Sequence, residues 1–297
     1  MSQDEGFAYE FLAGCVGGFA QVFIGQPFDI VKVRLQTAAA GSKQSAIGTF
    51  LHILRNEGGP LAFWKGSLPP LMGVGAAVSI QFGVNENVKK LLSKYTGSDQ
   101  FSFSQLFGCG VVAGLANAIV SVPSEHIRIL MQTQSTTNPM YKGSIDCIKQ
   151  IYSQYGLKGL YKGTNATLLR EAISFGTYFS VYAWIIQKIA QPGQTREELG
   201  IAKVALAGAI AGMILWPLCF PVDVIKTRLQ TDSFTKPQYK NAIDCARQIY
   251  AAQGLKGFVK GLGPCFVRAG PTNGGTFVAY ELTYRWLTKE KENVKFA

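Results

Sequence analysis

PFDIVKVRLQ, residues 27–36, recurs as PSEHIRILMQ at 123–132 and as PVDVIKTRLQ at 221–230. The opening prolines, Pro27, Pro123 and Pro221, stand 96 and 98 residues apart. A second phrase keeps step with them: WKG from Trp64, YKG from Tyr161 and VKG from Val259. A third, GxxxG, precedes each proline by the same distance, as Gly14/Gly18, Gly110/Gly114 and Gly208/Gly212. Three phrases in constant register make the chain a triplicated unit of about a hundred residues. The spacing gives one domain, 1–297, with repeats 7–95, 103–190 and 201–290.

Each unit predicts two membrane helices with a short amphipathic helix between them. The first long helices are expected at about 7–37, 103–134 and 201–231, and the second at about 68–93, 165–189 and 263–288. Each is long enough to cross a hydrocarbon layer of about 30 Å at about 1.5 Å per residue. GxxxG predicts close backbone approach, and the proline removes a backbone donor near the helix end. The middle segments, 45–57, 144–154 and 242–252, carry apolar residues at helical spacing, such as Ile145, Ile148 and Ile151. An even helix count puts both termini on one side.

Composition agrees with an all-α membrane protein. Of 297 residues, 47% are hydrophobic and 16% charged, against about 25% charged in ordinary globular chains. Mean hydropathy is only +0.14, too low for helices that face lipid alone. Every predicted span carries Gly, Pro, Ser, Thr, Asn or a charge, and such residues inside a membrane face protein or water. The six helices are therefore expected to enclose a polar cavity.

The net charge of +11 suits an anionic lipid surface or an anionic substrate. Basic residues sit at regular positions beside apolar runs, without the aromatic-interleaved stripe of a nucleic-acid reader. Two histidines, His52 and His126, and six cysteines without a CxxC pair give no metal site, no cofactor and no His-based triad. The thiols read as buried and free. The acidic start, MSQDEGFAYEF, has neither a signal peptide's basic region nor a transit peptide's arginines, so targeting information is expected within the chain.

At each proline an acid follows two residues on, and a base three residues after that: Asp29/Lys32, Glu125/Arg128 and Asp223/Lys226. Neighbours three apart on a helix pair locally. With three copies in register, though, the acid of one helix meets the base of the next and closes a ring. Gln36, Gln132 and Gln230 follow nine residues after each proline and are placed to brace the pairs by hydrogen bonds that add no charge. A ring of buried pairs, costly to break one-sidedly, is a gate.

The pattern Px[DE]xx[KR]x[KR] followed by the KG turn, three times over, resembles the mitochondrial carrier family across essentially the whole chain. GQPFDIVKVRLQT and SIQFGVNENVKK are most similar to fungal amino-acid carriers of the Ymc type, near the carnitine/ornithine branch. The resemblance implies a carrier of the mitochondrial inner membrane that opens alternately to the matrix and the cytoplasm. It places the ring on the matrix side and cardiolipin at the turns of Gly66, Gly163 and Gly261, where helix N-termini suit phosphate. Leu130 departs from the pattern's second base, Tyr155 and Gln253 from the acid at Glu57, and Val259 from the aromatic. His126 is expected on the matrix-side surface, and the four tryptophans as interfacial or packing aromatics. Trp216 and Asn117 are further candidates for the cavity wall.

The same resemblance assigns a cytoplasmic gate to Glu86, Lys89, Tyr182, Tyr280 and Glu281. The middle copy has lost both charges, leaving Lys89 with Glu281 as the inter-helix pair. It places substrate contacts seven residues past each KG glycine, at Gly73, Arg170 and Arg268, with Glu171 adjoining. An arginine's planar fork suits a carboxylate, and a lone Glu in a membrane cavity suits a cation. A structural Arg170–Glu171 couple with Arg268 is the alternative. Leu68–Phe82 carries no charge, and Ala77 stands where similar carriers of ornithine-like substrates place an acid. Gly73 and Gly75 leave room.

These residues predict a monomeric carrier of a small amino acid, zwitterionic or acidic before dibasic, working by alternating access without covalent chemistry. A carnitine, acylcarnitine or basic amino-acid carrier of the same fold is the first rival. A proton-leak or signalling membrane protein with a vestigial site is the second. No nucleophile–base couple supports an enzyme.

Overall fold

The computed structural model describes residues 3–38, 42, 44–98, 101–134, 139–190, 199 and 201–295, and no strand occurs among them. Repeat one folds as α1 (Gln3–Thr37), α2 (Ala46–Asn56) and α3 (Leu68–Thr96). Repeat two gives α4 (Phe103–Thr133), α5 (Ser144–Leu160) and α6 (Thr164–Ile189). Repeat three gives α7 (Ile201–Thr231), α8 (Ala242–Gln253) and α9 (Leu262–Lys295). The long helices close a ring in the order α1, α3, α4, α6, α7, α9 and back to α1. This is the all-α, three-repeat architecture that the sequence predicts. Among the described residues, only α4 and 206–231 of α7 are apolar enough to pass as membrane spans by composition alone. The other long helices are the more polar ones, as a polar interior requires.

A proline inside a helix frees the carbonyl four residues earlier, and a side chain supplies a donor at two of the three motif prolines. Trp64 Nε1 donates to the carbonyl of Phe23, four before Pro27, at 3.0 Å. Tyr161 Oη donates to that of Ile119, four before Pro123, at 2.9 Å. The aromatic of the KG phrase thus pins the end of its own repeat's second helix to the proline turn of the first. Val259 has no donor, so repeat three lacks this tie.

The GxxxG expectation is met in repeat two and not at Gly14 or Gly212. A Cβ on Gly114 would fall 2.8 Å from the Glu171 carbonyl oxygen, and one on Gly110 2.8 Å from the Phe175 carbonyl carbon, so α4 and α6 touch backbone to backbone. Among the described residues no neighbouring atom lies within 4 Å of a Cβ at Gly14 or Gly212, and a Cβ at Gly208 would lie 3.5 Å from the Tyr178 hydroxyl of α6. The cause is helix spacing, because α1 meets α3, and α7 meets α9, only sparsely. Repeat one places its close contact at Gly17 instead, 3.2 Å from the Thr276 carbonyl oxygen on α9.

Three small cores lie at one end of the ring, each beneath a first long helix. Ile30, Val31 and Leu35 pack on Ile53; Ile127 and Met131 on Cys147 and Ile151; Phe220 and Val224 on Cys245 and Ile249. Ile145 and Ile148 face outward, so Cys147 and Ile151 make the inner face of α5. His126, expected at the surface, has 0% exposure. It occupies the position of Ile30 and Val224 in the other repeats, and its Nδ1 lies 3.2 Å from the Leu160 carbonyl.

The KG glycines are demanded by packing. Gly66, Gly163 and Gly261 have φ of 77°, 77° and 96°, a region L side chains avoid. Each also leans on the first helix of the next repeat: a Cβ would lie 2.9 Å from Arg128 O, 2.8 Å from Gln230 Cγ and 3.1 Å from Lys32 O respectively. The turns therefore brace the helices that carry the charged motif.

Candidate functional site: an ionic ring beneath two arginines

The motif acids and bases pair between helices. Asp29 on α1 accepts from Arg128 Nη2 on α4 at 2.7 Å. Glu125 on α4 pairs with Lys226 on α7. Asp223 on α7 pairs with Lys32 on α1 at 2.6 Å, and Lys32 Nζ also lies 5.0 Å from the Trp216 ring centroid and 5.6 Å from that of Phe220. The ring is closed. Its members are largely sequestered, so opening it separates charges with little water at hand.

The three glutamines do not act alike. Gln36 Nε2 donates to Asp223 Oδ2 at 2.9 Å and braces the Lys32 pair. Gln230 turns away, donating to Thr167 Oγ1 at 3.4 Å. Gln132's side-chain amide has no partner among the described residues, so the expected brace exists at one link. The ring pairs form alike on all three helices, so the difference lies in where each amide side chain turns.

Above the ring stand the two arginines, and both reach down to it. Arg268 Nε lies 3.2 Å from Asp29 Oδ1. Arg170 lies 3.8 Å from Glu125 Oε1 and 3.7 Å from Asp223 Oδ1. Each ring acid thus meets two bases, a connection the spacing of the motifs did not reveal because it depends on side-chain reach. Arg170 also holds Glu171 at 2.5 Å, whereas Arg268 sits apart from that couple. Glu171 is 1% exposed, its carboxylate held by Arg170 and its backbone carbonyl against Gly114 of α4, rather than open to the cavity as expected. Gly73 likewise faces α4, where a Cβ would lie 3.7 Å from Val120 and Ser124. Asn117 is buried too. Within this assembly five bases meet four carboxylates.

At the opposite end the expected inter-helix pair is not formed. Lys89 binds Glu86 on its own helix at 2.9 Å, and Glu281 binds Arg285 on its own helix at 2.7 Å. Tyr182 stacks along α6 on Tyr178 with centroids 6.2 Å apart, and Tyr280 along α9 on Tyr284 at 6.1 Å. The charges satisfy themselves locally, as they do when helix ends stand apart.

Outside the ring, the departures from the repeat pattern resolve into pairs. Arg34 grips Glu57 through both terminal nitrogens, Nη2 to Oε2 at 2.6 Å, and donates through Nε to the Gln132 carbonyl at 3.0 Å. Repeat two has lost both partners together: Leu130 packs in the apolar cluster, and Tyr155 stacks on Phe234 of repeat three at 4.3 Å. Repeat three has lost only the acid. Arg228 Nε still donates to the Gln36 carbonyl at 3.0 Å, but its Nη2 and Gln253 Nε2 are buried without a partner among the described residues. Nearby Lys260, whose ammonium donates to the Ser42 carbonyl at 3.4 Å, has its pKa lowered by burial and by Arg228. Gln253→Glu is therefore expected to stabilise the protein by about 1–2 kcal/mol, raising Tm by about 3 °C. Thermal unfolding of the purified variant checks this, and an unchanged or lower Tm is the contrary result.

A model described as "Mitochondrial carrier protein" matches three times, at residues 3–96, 99–192 and 197–291. The chain belongs to the mitochondrial carrier family, the multi-pass carriers of the mitochondrial inner membrane. It is similar to the mitochondrial glycine transporter YMC1 of Saccharomyces cerevisiae, 43% identical over 94% of this chain and 91% of the relative. The glutamate/glycine mitochondrial carrier ymc1 of Schizosaccharomyces pombe is 43% identical over 92% of each. The mitochondrial basic amino acids transporter of Mus musculus is 38% identical over 97% of this chain and 92% of the relative.

Proposed function

We propose that the chain carries a small zwitterionic or acidic amino acid by alternating access, without covalent chemistry, and that the closed ring is its matrix gate. The observation that carries this reading is the 3.2 Å contact of Arg268 with Asp29. It joins a substrate-facing cation, 22% exposed in its side chain, to a gate acid. A zwitterion inserted there splits the pair without orphaning either member: its carboxylate takes the guanidinium and its ammonium takes the acid. The contacts of Arg170 at 3.7 and 3.8 Å are looser than the ring pairs and open to the same exchange. Only binding that favours the opened ring shifts the equilibrium, and this exchange supplies such a difference.

Five bases against four carboxylates favour a ligand that brings a negative charge. The charge-free stretch Leu68–Phe82 offers no partner for a second ammonium, which supports glycine- or glutamate-like cargo over a dibasic one. Glu171 acts from behind, orienting Arg170. That Lys89 and Glu281 pair within their own helices rather than with each other supports a cytoplasm-open conformation, with Glu86, Tyr182 and Tyr280 completing the opposite gate when it closes. Cardiolipin phosphate is assigned to the N-terminal amides of α3, α6 and α9 beside Gly66, Gly163 and Gly261. The ammonium groups of Lys162 and Lys260 are tied to the carbonyls of Asp232 and Ser42. One chain encloses the pathway, which fits a monomer.

Uptake of labelled glycine, glutamate, ornithine and carnitine into cardiolipin-containing liposomes tests the reading. Saturable uptake of glycine or glutamate, with ornithine and carnitine weak, is expected. Preference for ornithine or carnitine overturns the substrate, and ohmic proton conductance without uptake of any of the four overturns the carrier.

A further inference from the structure

Arg128 is the one arginine among the three ring bases; the others are Lys32 and Lys226. A lysine ammonium is a compact charge that pairs from many directions, whereas a guanidinium is a planar fork whose rotation decides which protons meet which acceptor. Something must therefore set the plane of Arg128. Gln132, at the bracing position on the same helix, leaves its amide unpartnered among the described residues. Gln26 stands in its place. It lies on α1 one residue before Pro27, has 0% exposure, and uses both ends of its amide. Its Nε2 donates to the Lys65 carbonyl at 2.8 Å, fixing it to the KG turn. Its Oε1 accepts from Arg128 Nη2 at 2.5 Å.

That nitrogen carries two protons. One goes to Gln26, and the other to Asp29 Oδ2 at 2.7 Å. Holding the first aims the second. The equivalent positions in the other repeats, Val122 and Phe220, have no amide, and their ring bases are lysines that need none.

The residue before Gln26 serves the other side of the same carboxylate. A Cβ on Gly25 would fall 2.7 Å from Arg268 Nε and 3.0 Å from Nη2. With no Cβ there, the guanidinium lies directly against α1 and reaches Asp29 Oδ1 at 3.2 Å; a Cβ would force it to shift. Ser121 and Cys219 occupy this position in the other repeats. The Gly25–Gln26 step, found in repeat one alone, thus puts a ring arginine and a site arginine on the two oxygens of one acid.

We propose that Gly25 and Gln26 are positioning residues that make Asp29 the link through which an occupied site opens the ring. Gln26 orients Arg128, and Gly25 admits Arg268. This rests on the reading of Arg268 as the holder of the substrate carboxylate.

The purified full-length chain tests it by thermal unfolding and by uptake of labelled glycine and glutamate into liposomes. Gln26→Leu removes a hydrogen bond to a charged group and is expected to lower Tm by about 5 °C, with KM within about twofold of native. Gln26→Glu keeps an acceptor for Arg128 but has no donor for the Lys65 carbonyl, and is expected to recover at least half of that loss. Should the leucine variant not fold, a Gln26→Glu protein as stable as the native one supports the role. If Gln26→Glu is no more stable than Gln26→Leu, or also fails to fold, the Lys65 anchor is the whole function and the proposal falls. Gly25→Ala is expected to raise KM about tenfold, since it pushes Arg268 off its seat; an unchanged KM overturns that half. Arg268→Ala with native KM would instead remove the substrate reading. The Gln26 thermal series needs no substrate and stands apart from it.

Discussion

Arg268→Ala is expected to lower glycine or glutamate uptake at low substrate concentration by about 100-fold. Truncating one partner of a desolvated ion pair costs about 2–5 kcal/mol, and a tenfold change in affinity is about 1.4 kcal/mol. The size follows from what the guanidinium does. It supplies the positive charge by which bases outnumber acids in the ring and site, so its loss removes the net attraction for a carboxylate as well as the hydrogen bonds. Asp29 keeps Arg128 at 2.7 Å, so the ring itself survives and Tm is expected to move by only a few degrees. Arg268→Lys separates charge from shape: it retains the former and loses the planar fork, and a loss of about tenfold is expected. Concentration-dependent uptake in liposomes reads both variants. If Arg268→Ala keeps KM and turnover within about threefold of native, Arg268 does not hold the substrate.

The triplication and the ring were legible in residues 27–36, 123–132 and 221–230, for a definite reason. Repetition in register turns a local i, i+3 pair into a choice between partners, and only the inter-helix partner closes a three-fold figure. What depended on side-chain direction and helix spacing was not legible. Gln36, Gln132 and Gln230 are indistinguishable in the sequence, yet of the three only Gln36 reaches a ring acid, because spacing along a helix does not fix where a long amide side chain turns. Unequal spacing between the two long helices of each repeat leaves Gly14 and Gly212 in open space among the described residues while Gly110 and Gly114 touch α6. Burial was the other blind spot. Glu171 beside Arg170 reads as an exposed cation receptor, but the next residue on a helix points about 100° away, and that rotation takes Glu171 behind its neighbour. His126 reads as polar and is buried, because its position in the repeat belongs to Ile30 and Val224. Gln26 carried a signal, since an amide beside the proline occurs only in the repeat whose Asp29 meets an arginine.

Asp223→Asn is expected to have the largest effect on stability, because more groups depend on that carboxylate than on any other in the ring. Lys32 pairs with it at 2.6 Å, Gln36 donates to it at 2.9 Å, and Arg170 Nε lies 3.7 Å away. Its removal leaves Lys32 buried with only the faces of Trp216 and Phe220. A cation–π contact is worth about 2 kcal/mol when desolvated, less than the about 3–5 kcal/mol lost when a buried pair is broken from one side. Tm is expected to fall by about 10 °C. Added salt should restore little, since buried charges are poorly screened. Glu125→Gln is the comparison: Lys226 is as sequestered as Lys32, but the carboxylate it loses is itself 27% exposed in its side chain and takes no glutamine among the described residues, so a smaller loss is expected. The exchange Lys32→Asp with Asp223→Lys restores the pair but sets a lysine beside Arg170 and a carboxylate against the electron-rich face of Trp216. It should therefore recover part of the Tm and not all of it. Full recovery would mean that Arg170 and the aromatic faces contribute nothing to the closed ring. No recovery would mean that Asp223 acts through Arg170 and Gln36 rather than through Lys32.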